Sequence, residues 1–314
     1  MNFIKKFDQI SKSDTSEVGG KGASLGEMSG VGIPVPQGFV ILADAYDVFL
    51  DSWHLVPEID ASLDKVNTDD TNSVEIASEK IRPLILNAKM PDEIASEIVE
   101  SFKILNAEFV AVRSSATAED SSSASWAGEL ETYLNTTKVN LLKNVQKCWA
   151  SLFTPRAIFY RFEKGLHKTK VSVAVVVQKM VNSEISGIAF SVHPVTEDKN
   201  QLIIEAGWGL GEAIASGSVT PDSYVVDKKD FSIIDINISD QEKKLIRKDK
   251  GGNKWVDIDQ SVKNSQKLGE EQIIELAKKI VEIENHYGFP VDVEWTWENN
   301  KFYITQSRPI TTLR

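Results

Sequence analysis

Hydrophobic and polar positions alternate along this chain in two periods, one typical of strands and one typical of helices. Short runs rich in Val and Ile, or with period-two alternation, predict strands at 38–42, 109–113, 131–134, 171–180, 187–191, 201–206 and 223–226. Two further alternating runs predict a closing hairpin from 291–297 and 302–306. Apolar residues three and four apart predict helices at 23–29, 45–53, 72–87, from 91 onward, at 141–160 and at 272–286. The polar stretch 54–72 is predicted to be an irregular connection, so the pattern indicates a mixed α+β chain.

A change of composition near Asn182–Ser186 predicts two lobes. We place an N-terminal lobe at 1–184 and a C-terminal lobe at 185–314. A cleft between lobes is the usual place for a ligand, so candidate chemistry is sought on both sides of that boundary.

Charge and cysteine content narrow the function classes. Asp and Glu outnumber Lys and Arg by 46 to 35, which leaves a net charge of −11 and argues against nucleic-acid or anionic-membrane partners. The single cysteine, Cys148, excludes an intrachain disulfide and a cysteine zinc site. The longest apolar run, Val171–Val177, is only strand length, and the first residues lack the apolar core of a signal peptide. The sequence therefore predicts a soluble, cytoplasmic protein.

Lys21 lies inside a glycine-rich stretch, Val18–Gly26, that leads into a predicted helix. Glycines allow close approach of the backbone to an anion, a helix N-terminus supplies N–H donors, and lysine adds a positive charge. The stretch is not a Walker A loop, because its spacing differs. It favours either a phosphate site or a surface turn with a solvated lysine.

Arg113 ends a short apolar strand and is followed by small residues from Ser114 to Gly128. Arginine can bind phosphate oxygens through two N–H groups, and hydroxyl side chains add further donors. A small-residue segment of this kind can close over phosphates, and the alternative is a flexible serine linker.

The closing hairpin brings polar side chains together. With a three-residue turn at Asn299–Lys301, Glu294 is predicted to lie opposite Gln306. Asp292 and Ile304 are expected on or beside the same face, with Arg308 two residues beyond Gln306. A carboxylate and an amide oxygen are hard ligands suited to Mg²⁺. The alternative is the exposed polar face of an edge hairpin.

Two other features carry weaker signals. The stretch Gly207–Glu212 resembles a dinucleotide fingerprint, but without a clear βαβ unit it favours a tight structural turn. No histidine has the spacing of a metal site or of a catalytic triad. We therefore interpret all four as structural or exposed; they are His54, His167, His193 and His286.

Several motifs in order make the chain resemble the N-terminal nucleotide-binding domain of the phosphoenolpyruvate synthase / pyruvate phosphate dikinase family. The resemblance extends over essentially the whole chain. It is carried by the motifs Val18–Glu27, Pro34–Phe39, Ala111–Asp120, Cys148–Phe153, Gly207–Glu212, His286–Gly288 and Gln306–Pro309.

The resemblance implies an ATP-grasp fold, with two α+β lobes holding Mg-ATP in the cleft between them. It implies that Lys21, Arg113 and Arg308 contact the phosphates as the catalytic groups, and that Glu294 and Gln306 bind Mg²⁺. It also places Gly128 and Thr132 in a loop above the phosphates and Gln178 near the base.

The same resemblance implies partners. In the family the nucleotide phosphorylates a histidine on a separate swivelling domain, giving AMP and phosphate overall, and a third domain or subunit binds the acceptor. No Thr-Ser-His-Ala phosphohistidine motif occurs in this sequence, so we expect either a separate subunit or one domain of a longer enzyme.

Pyruvate, an aromatic alcohol as in a phenylphosphate synthase, and an antibiotic as in a rifampicin phosphotransferase all remain open as acceptors. A self-sufficient ligase and a nucleotide-sensing subunit without turnover are alternative functions.

Overall fold

The computed structural model of this protein describes residues 2–117, 126, 130–311 and 313. The chain forms two compact units, Met1–Glu27 with Gln37–Met180 and Met28–Pro36 with Val181–Arg314. Each contains helices and an antiparallel sheet, which confirms the predicted α+β class. None of the helices in the described ranges combines the length and the apolar character needed to cross a membrane.

The first unit is built on a five-stranded sheet. Its strands are β1 Ile4–Lys6, β2 Gly38–Ile41, β3 Val110–Ala116, β4 Thr132–Thr136 and β5 Val173–Lys179. They lie in the order β1-β2-β5-β3-β4, and every neighbouring pair is antiparallel. Strand β5 is rich in Val and is buried from Val173 to Gln178, as expected of the central strand of a covered sheet.

Helices pack on this sheet and enclose one continuous apolar core. They are α2 Ala43–Ser52, α3 Val56–Leu63, α4 Thr71–Asn87, α5 Asp92–Leu105, α6 Leu141–Ala150 and α7 Pro155–Glu163. Helix α1 Thr15–Gly30 precedes them in the chain. In α5 the predicted apolar face, Ile94, Ile98 and Phe102, is buried. Acidic residues in its first turn and a left-handed Asn106 at its end are favourable terminal signals.

Two predictions for these helices are wrong. The polar stretch 54–72 contains α3, whose buried face is short and consists of Ile59, Ser62 and Leu63. The predicted helix 141–160 is two helices, because Thr154 caps the second one and Pro155 opens it. Proline lacks the N–H that a continuous helix would need at that position.

The second unit contains a six-stranded antiparallel sheet with the order β13-β12-β6-β7-β8-β9 and a separate hairpin, β10-β11. Its strands are β6 Ile185–Phe190, β7 Gln201–Trp208, β8 Asp222–Asp227, β9 Ile233–Asn237, β10 Lys243–Arg247, β11 Asn253–Asp257, β12 Val291–Glu298 and β13 Lys301–Pro309. The helices are α8 Glu212–Ala215 and α9 Glu270–Tyr287. Helix α9 contacts β7, β8 and β12 and ends at the left-handed Gly288.

Candidate functional site

Ser115 of β3 fixes the glycine-rich stretch that carries Lys21. Its Oγ donates to the carbonyl oxygen of Val18 at 2.9 Å and accepts from the backbone N–H of Gly22 at 3.3 Å. Gly19 has φ +69° and interrupts α1, so a new helical segment starts immediately before Lys21. The stretch is therefore held against β3, with Lys21 in the first turn of a helix, where N–H groups and the helix dipole favour anions.

Arg113 and Gln178 are buried partners on adjacent strands of the first sheet. Arg113 lies opposite Val176 of β5, two residues before Gln178, so both side chains are on one face. The guanidinium Nη1 donates to Gln178 Oε1 at 3.4 Å. Thr132 lies opposite Arg113 on β4 and is exposed. The structure therefore brings Arg113, Thr132 and Gln178 onto neighbouring strands, whereas Gly128 lies outside the described residues.

The other amide atom of Gln178 has an unfilled hydrogen-bonding capacity. Gln178 is 3% exposed, and its Nε2 is buried without a hydrogen-bond partner. A buried N–H donor left without an acceptor is unfavourable, so such atoms commonly mark the position of a ligand or water. The site therefore suits a ligand that presents an acceptor, as an adenine ring nitrogen or a phosphate oxygen does.

In the second unit, Glu294 lies directly opposite Gln306, as predicted, but the route to that pairing differs. The turn has two residues, Asn299 and Asn300, both with positive φ. By itself this turn would place Glu294 opposite Thr305. A β-bulge at Thr305 shifts the register by one residue, so that Gln306 takes the position opposite Glu294. The Thr305 hydroxyl donates to the Glu294 carbonyl oxygen at 3.2 Å.

The bulge also corrects the predicted face of the hairpin. Ile304 lies opposite Trp295, so its side chain is on the other face of the sheet and is buried there. The prediction that Ile304 lies beside Glu294 is wrong, because it assumed an unbroken period-two alternation along β13. Glu294 and Gln306 share their face with the next pair, Asp292 and Arg308.

Arg308 is held by Asp292 through two hydrogen bonds to the same oxygen. Its Nε and Nη2 lie 2.8 Å and 2.7 Å from Asp292 Oδ2. Burial raises the pKa of the Asp292 carboxyl; the Arg308 guanidinium opposes that shift, and the Glu294 carboxylate adds to it. Arg308 remains about one-third exposed, so its guanidinium reaches the surface of this sheet face.

Glu205 is an acidic residue of this face that the sequence analysis missed. In the ladder across the sheet Glu294 pairs with Ile188, and Ile188 pairs with Glu205 of β7. Burial raises the pKa of the Glu205 carboxyl, and Asp292 raises it further. The available signal was an acidic residue inside the apolar run 201–206, which contradicts a strand buried on both faces.

The donor set on this face fits Mg²⁺ shared with a substrate. No group of three or more His, Cys, Asp or Glu side chains among the described residues is placed to hold a metal ion. Mg²⁺, however, is commonly bound by one or two protein carboxylates together with substrate phosphates. Glu294 supplies one carboxylate and Gln306 one amide oxygen on the adjacent strand, which fits such a shared site.

The stretch 207–212 is a structural turn. Trp208 donates its backbone N–H to Gln241 Oε1 at 2.8 Å, and Gln241 returns a hydrogen bond to the Trp208 carbonyl oxygen. A Cβ on Gly209 would lie 2.5 Å from the Leu245 carbonyl oxygen. Both neighbours of β7 are antiparallel to it, so the βαβ unit of a dinucleotide site does not form around this strand.

Known proteins are similar in sequence to nearly the whole chain. The family described as pyruvate phosphate dikinase, AMP/ATP-binding domain, matches residues 15–314. A probable phosphoenolpyruvate synthase of Methanocaldococcus jannaschii is 48% identical over the entire chain, which covers 27% of that protein. The phosphoenolpyruvate synthase of Pyrococcus furiosus is 42% identical over 99% of the chain and 44% of its own length.

A relative with a different name is nearly as similar. The rifampicin phosphotransferase of Bacillus subtilis is 40% identical over 97% of the chain, which covers 35% of that protein. The chain thus spans between about a quarter and a half of the length of the relatives it matches.

Proposed function

Because the chain belongs to the pyruvate phosphate dikinase AMP/ATP-binding domain family, we propose that it binds Mg-ATP and delivers a phosphoryl group to a histidine on a separate swivelling domain. Overall, ATP and water give AMP, one free phosphate and one phosphoryl group carried by the histidine, as in a phosphoenolpyruvate synthase. The observation that carries the proposal is the pairing of Glu294 with Gln306 beside the Asp292–Arg308 ion pair. This arrangement combines two metal ligands with a fixed cation on one sheet face. A cytoplasmic location, consistent with the net charge of −11, is part of the same proposal.

In the first unit, cationic groups and an unpaired donor form the proposed nucleotide contacts. Lys21 at a helix N-terminus and Arg113 on β3 bind phosphate oxygens, and Thr132 adds a hydroxyl donor. Gln178, whose Oε1 is already bonded to Arg113, directs its free Nε2 to an acceptor of the nucleotide. Gly128 belongs to the same proposed set.

In the second unit, Glu294 and Gln306 hold Mg²⁺, which neutralises phosphate charge when bound. Asp292 fixes the Arg308 guanidinium, so that Arg308 meets a phosphate without a large loss of side-chain entropy. These groups act by positioning and by electrostatic stabilisation of the transferring phosphoryl group. In this proposal the nucleophile is an imidazole of the partner domain, and the described residues form no covalent intermediate.

The experiment uses ATP labelled on its β- and γ-phosphates, with and without a candidate phosphohistidine-domain protein. We expect AMP and a base-stable, acid-labile phosphoprotein only when the partner is present. Acid-labile label on this chain alone would contradict the partner requirement. AMP formation with a free carboxylate instead of the partner would favour a ligase, and ATP binding without turnover under every condition would favour a sensor.

The acceptor has two candidates supported by relatives. Phosphoenolpyruvate synthases of two archaea favour pyruvate, whereas the Bacillus subtilis protein favours an antibiotic hydroxyl. The acceptor-binding domain or subunit decides between them, so adding pyruvate or rifampicin to the complete system and identifying the labelled product distinguishes the two.

A further inference from the structure

A cavity lies within the first unit, apart from the proposed nucleotide contacts. It has a volume of about 540 Å³, which is in the range of small-molecule sites. Helices α2 and α3 and the segment 167–172 that leads into β5 line it. None of Lys21, Arg113, Thr132 or Gln178 takes part, and Gln178 lies near the other end of β5. Its apolar wall is formed by Tyr46, Leu50, Ile59, Leu63, Phe153 and Val171.

A buried arginine with unused donors faces this wall. Arg161 is 6% exposed and lines the cavity. Its Nη2 donates to the Thr169 carbonyl oxygen at 3.2 Å, and within the described ranges this is its one hydrogen-bond acceptor. Its Nε is buried with no partner. A guanidinium has five N–H groups in a planar arrangement that matches a carboxylate, so most of its hydrogen-bonding capacity is available.

His167 supplies a second buried polar atom without a partner at the same cavity. Its ring stacks on Phe162, with centroids 4.6 Å apart and planes 11° apart, which fixes its orientation. Its Nδ1 is buried and has no hydrogen-bond partner among the described atoms. Two unpartnered polar groups from different segments therefore border one cavity, which points to a ligand rather than to an isolated packing defect.

The charges around the cavity restrict what it can hold. Lys170 is paired with Asp47 at 2.6 Å, and Ser172 also donates to that carboxylate. Three further acidic residues, Asp51, Asp60 and Asp64, line the cavity. Burial lowers the pKa of the Arg161 guanidinium, and the nearby Asp60 carboxylate opposes that shift. Extra negative charge on a ligand would meet these carboxylates, so a polyphosphate is disfavoured and a single negative charge is tolerated.

We propose that this cavity binds a small organic monocarboxylate with an apolar body. Its carboxylate contacts the free N–H groups of Arg161 and the imidazole of His167, and its hydrocarbon part packs on the apolar wall. The site is separate from the nucleotide contacts, so the proposal does not depend on the proposed function.

The test measures binding of 3-phenylpropionate and of its neutral isostere 3-phenylpropionamide by ligand-observed NMR and calorimetry on the whole chain. We expect the acid to bind about ten- to a hundredfold more tightly than the amide, because only the acid forms charge-assisted hydrogen bonds to Arg161. Saturating ATP should leave this difference unchanged. Acetate should bind more weakly than 3-phenylpropionate, since it lacks the apolar body.

Three variants test whether the preference for the acid depends on Arg161 and His167. Arg161→Gln should reduce the affinity for the acid to that for the amide, whereas Lys164→Gln, which removes an exposed charge near the end of α7, should change neither. Because Arg161 is buried, a folded Arg161→Gln protein is first checked by thermal unfolding. His167→Phe keeps the ring stack and removes Nδ1, so it gives an independent variant with an expected severalfold loss for the acid.

Two outcomes would overturn the proposal. One is equal affinity of acid and amide, or no binding of the acid at about ten millimolar. The other is a folded Arg161→Gln or His167→Phe protein that keeps the full preference for the acid.

Discussion

Gly19 approaches Ser115 so closely that a Cβ on Gly19 would lie 2.2 Å from the Ser115 Oγ and 2.4 Å from its carbonyl oxygen. Gly19 also has φ +69°, a conformation that side chains rarely adopt. The close contact lets Ser115 bond to Val18 and Gly22, on either side of Lys21. The position of Lys21 relative to β3 therefore depends on the absence of one methyl group.

Replacing Gly19 with Ala should displace the glycine-rich stretch from β3. We expect a loss of about 1–3 kcal/mol in the free energy of unfolding and a weaker affinity for Mg-ATP. Thermal unfolding and calorimetry measure the two effects. Gly30→Ala is the matched control, because a Cβ there meets nothing within 4 Å. A Gly19→Ala protein with the stability and affinity of the wild type would show that the contact with Ser115 is dispensable.

Glu294→Gln should weaken only the metal-dependent part of ATP binding. The wild-type chain is expected to bind Mg-ATP with a Kd in the micromolar range, or roughly −8 kcal/mol. Removing the carboxylate charge should lower the affinity in saturating Mg²⁺ about ten- to a hundredfold and leave the fold unchanged. Glu298→Gln, near the end of the same strand, is the control. An unaltered Mg²⁺ dependence in Glu294→Gln would remove the hairpin from the metal site.

Arg113→Lys should slow phosphoryl transfer to a cognate phosphohistidine domain about ten- to a hundredfold. Lysine keeps the charge but cannot bind phosphate through two N–H groups while also bonding to Gln178. Single-turnover transfer of label from ATP measures the effect, and the exposed Arg156→Lys serves as the control. Full transfer by Arg113→Lys would place Arg113 outside the reacting site.

The buried ion pair of Lys267 and Asp222 should be essential to the second unit. Lys267 Nζ lies 2.7 Å from Asp222 Oδ1, and both side chains are fully buried. Lys267→Met leaves an uncompensated buried carboxylate, so we expect a loss of about 3–5 kcal/mol in the free energy of unfolding. Denaturant unfolding measures it.

Lys279→Met provides the comparison for this prediction. Lys279 lies 3.6 Å from Glu275 in a partly exposed helical pair, whose loss should cost less than about 1 kcal/mol. Similar losses for the two variants would mean that burial does not decide the strength of the Lys267–Asp222 pair.

Glu205→Gln should change how stability depends on pH. Because the pKa of the Glu205 carboxyl is raised in the folded state, the folded protein keeps this proton over a pH range in which the unfolded chain has lost it. The Glu205 carboxyl therefore lowers the free energy of unfolding as the pH rises from its unfolded-state pKa to its folded-state pKa. The free energy of unfolding stays lowered at every higher pH. Glutamine mimics the protonated acid, so Glu205→Gln should be more stable than the wild type at about pH 7 and similar to it at about pH 4.

Thermal unfolding at both pH values measures the effect, with the exposed Glu282→Gln as control. If Glu205→Gln lowers stability at neutral pH, the ionised carboxylate is favourably bound in the folded protein and the predicted direction is wrong.

Much of the fold follows from local sequence patterns. The Val-rich β5, the apolar face of α5 and the glycine that ends α9 are each determined within a few residues, by periodicity, end charges or positive φ. The motifs likewise identified Lys21, Arg113, Glu294, Gln306 and Arg308 as candidate site residues, whose roles stay proposals.

Other elements depend on contacts that a local pattern does not contain. Strands β9, β10 and β11 were not predicted, because β9 and β11 are largely exposed, β10 buries only Leu245, and none of the three shows a clear alternation of buried positions. The contribution of Ser115 also lay outside the sequence analysis, since its partners Val18 and Gly22 are more than ninety residues away.

The closing hairpin shows which features a local sequence pattern predicts and which depend on tertiary contacts. The sequence by itself predicted that 291–297 and 302–306 pair, because each run alternates within a few residues, but it predicted a three-residue turn at Asn299–Lys301 where the structure has two residues, Asn299 and Asn300. The predicted pairing of Glu294 with Gln306 is confirmed, but only the tertiary structure shows that it arises from a bulge at Thr305 and not from the length of the turn. The bulge at Thr305 breaks the period-two alternation of β13. On one side of the bulge, Ile304 packs opposite Trp295 in the core, and on the other side Arg308 pairs with Asp292 on the opposite face of the sheet. The burial of Ile304 on one face and the Asp292–Arg308 ion pair on the other thus fix the register of the hairpin. The two-residue turn alone would pair Glu294 with Thr305 instead of Gln306.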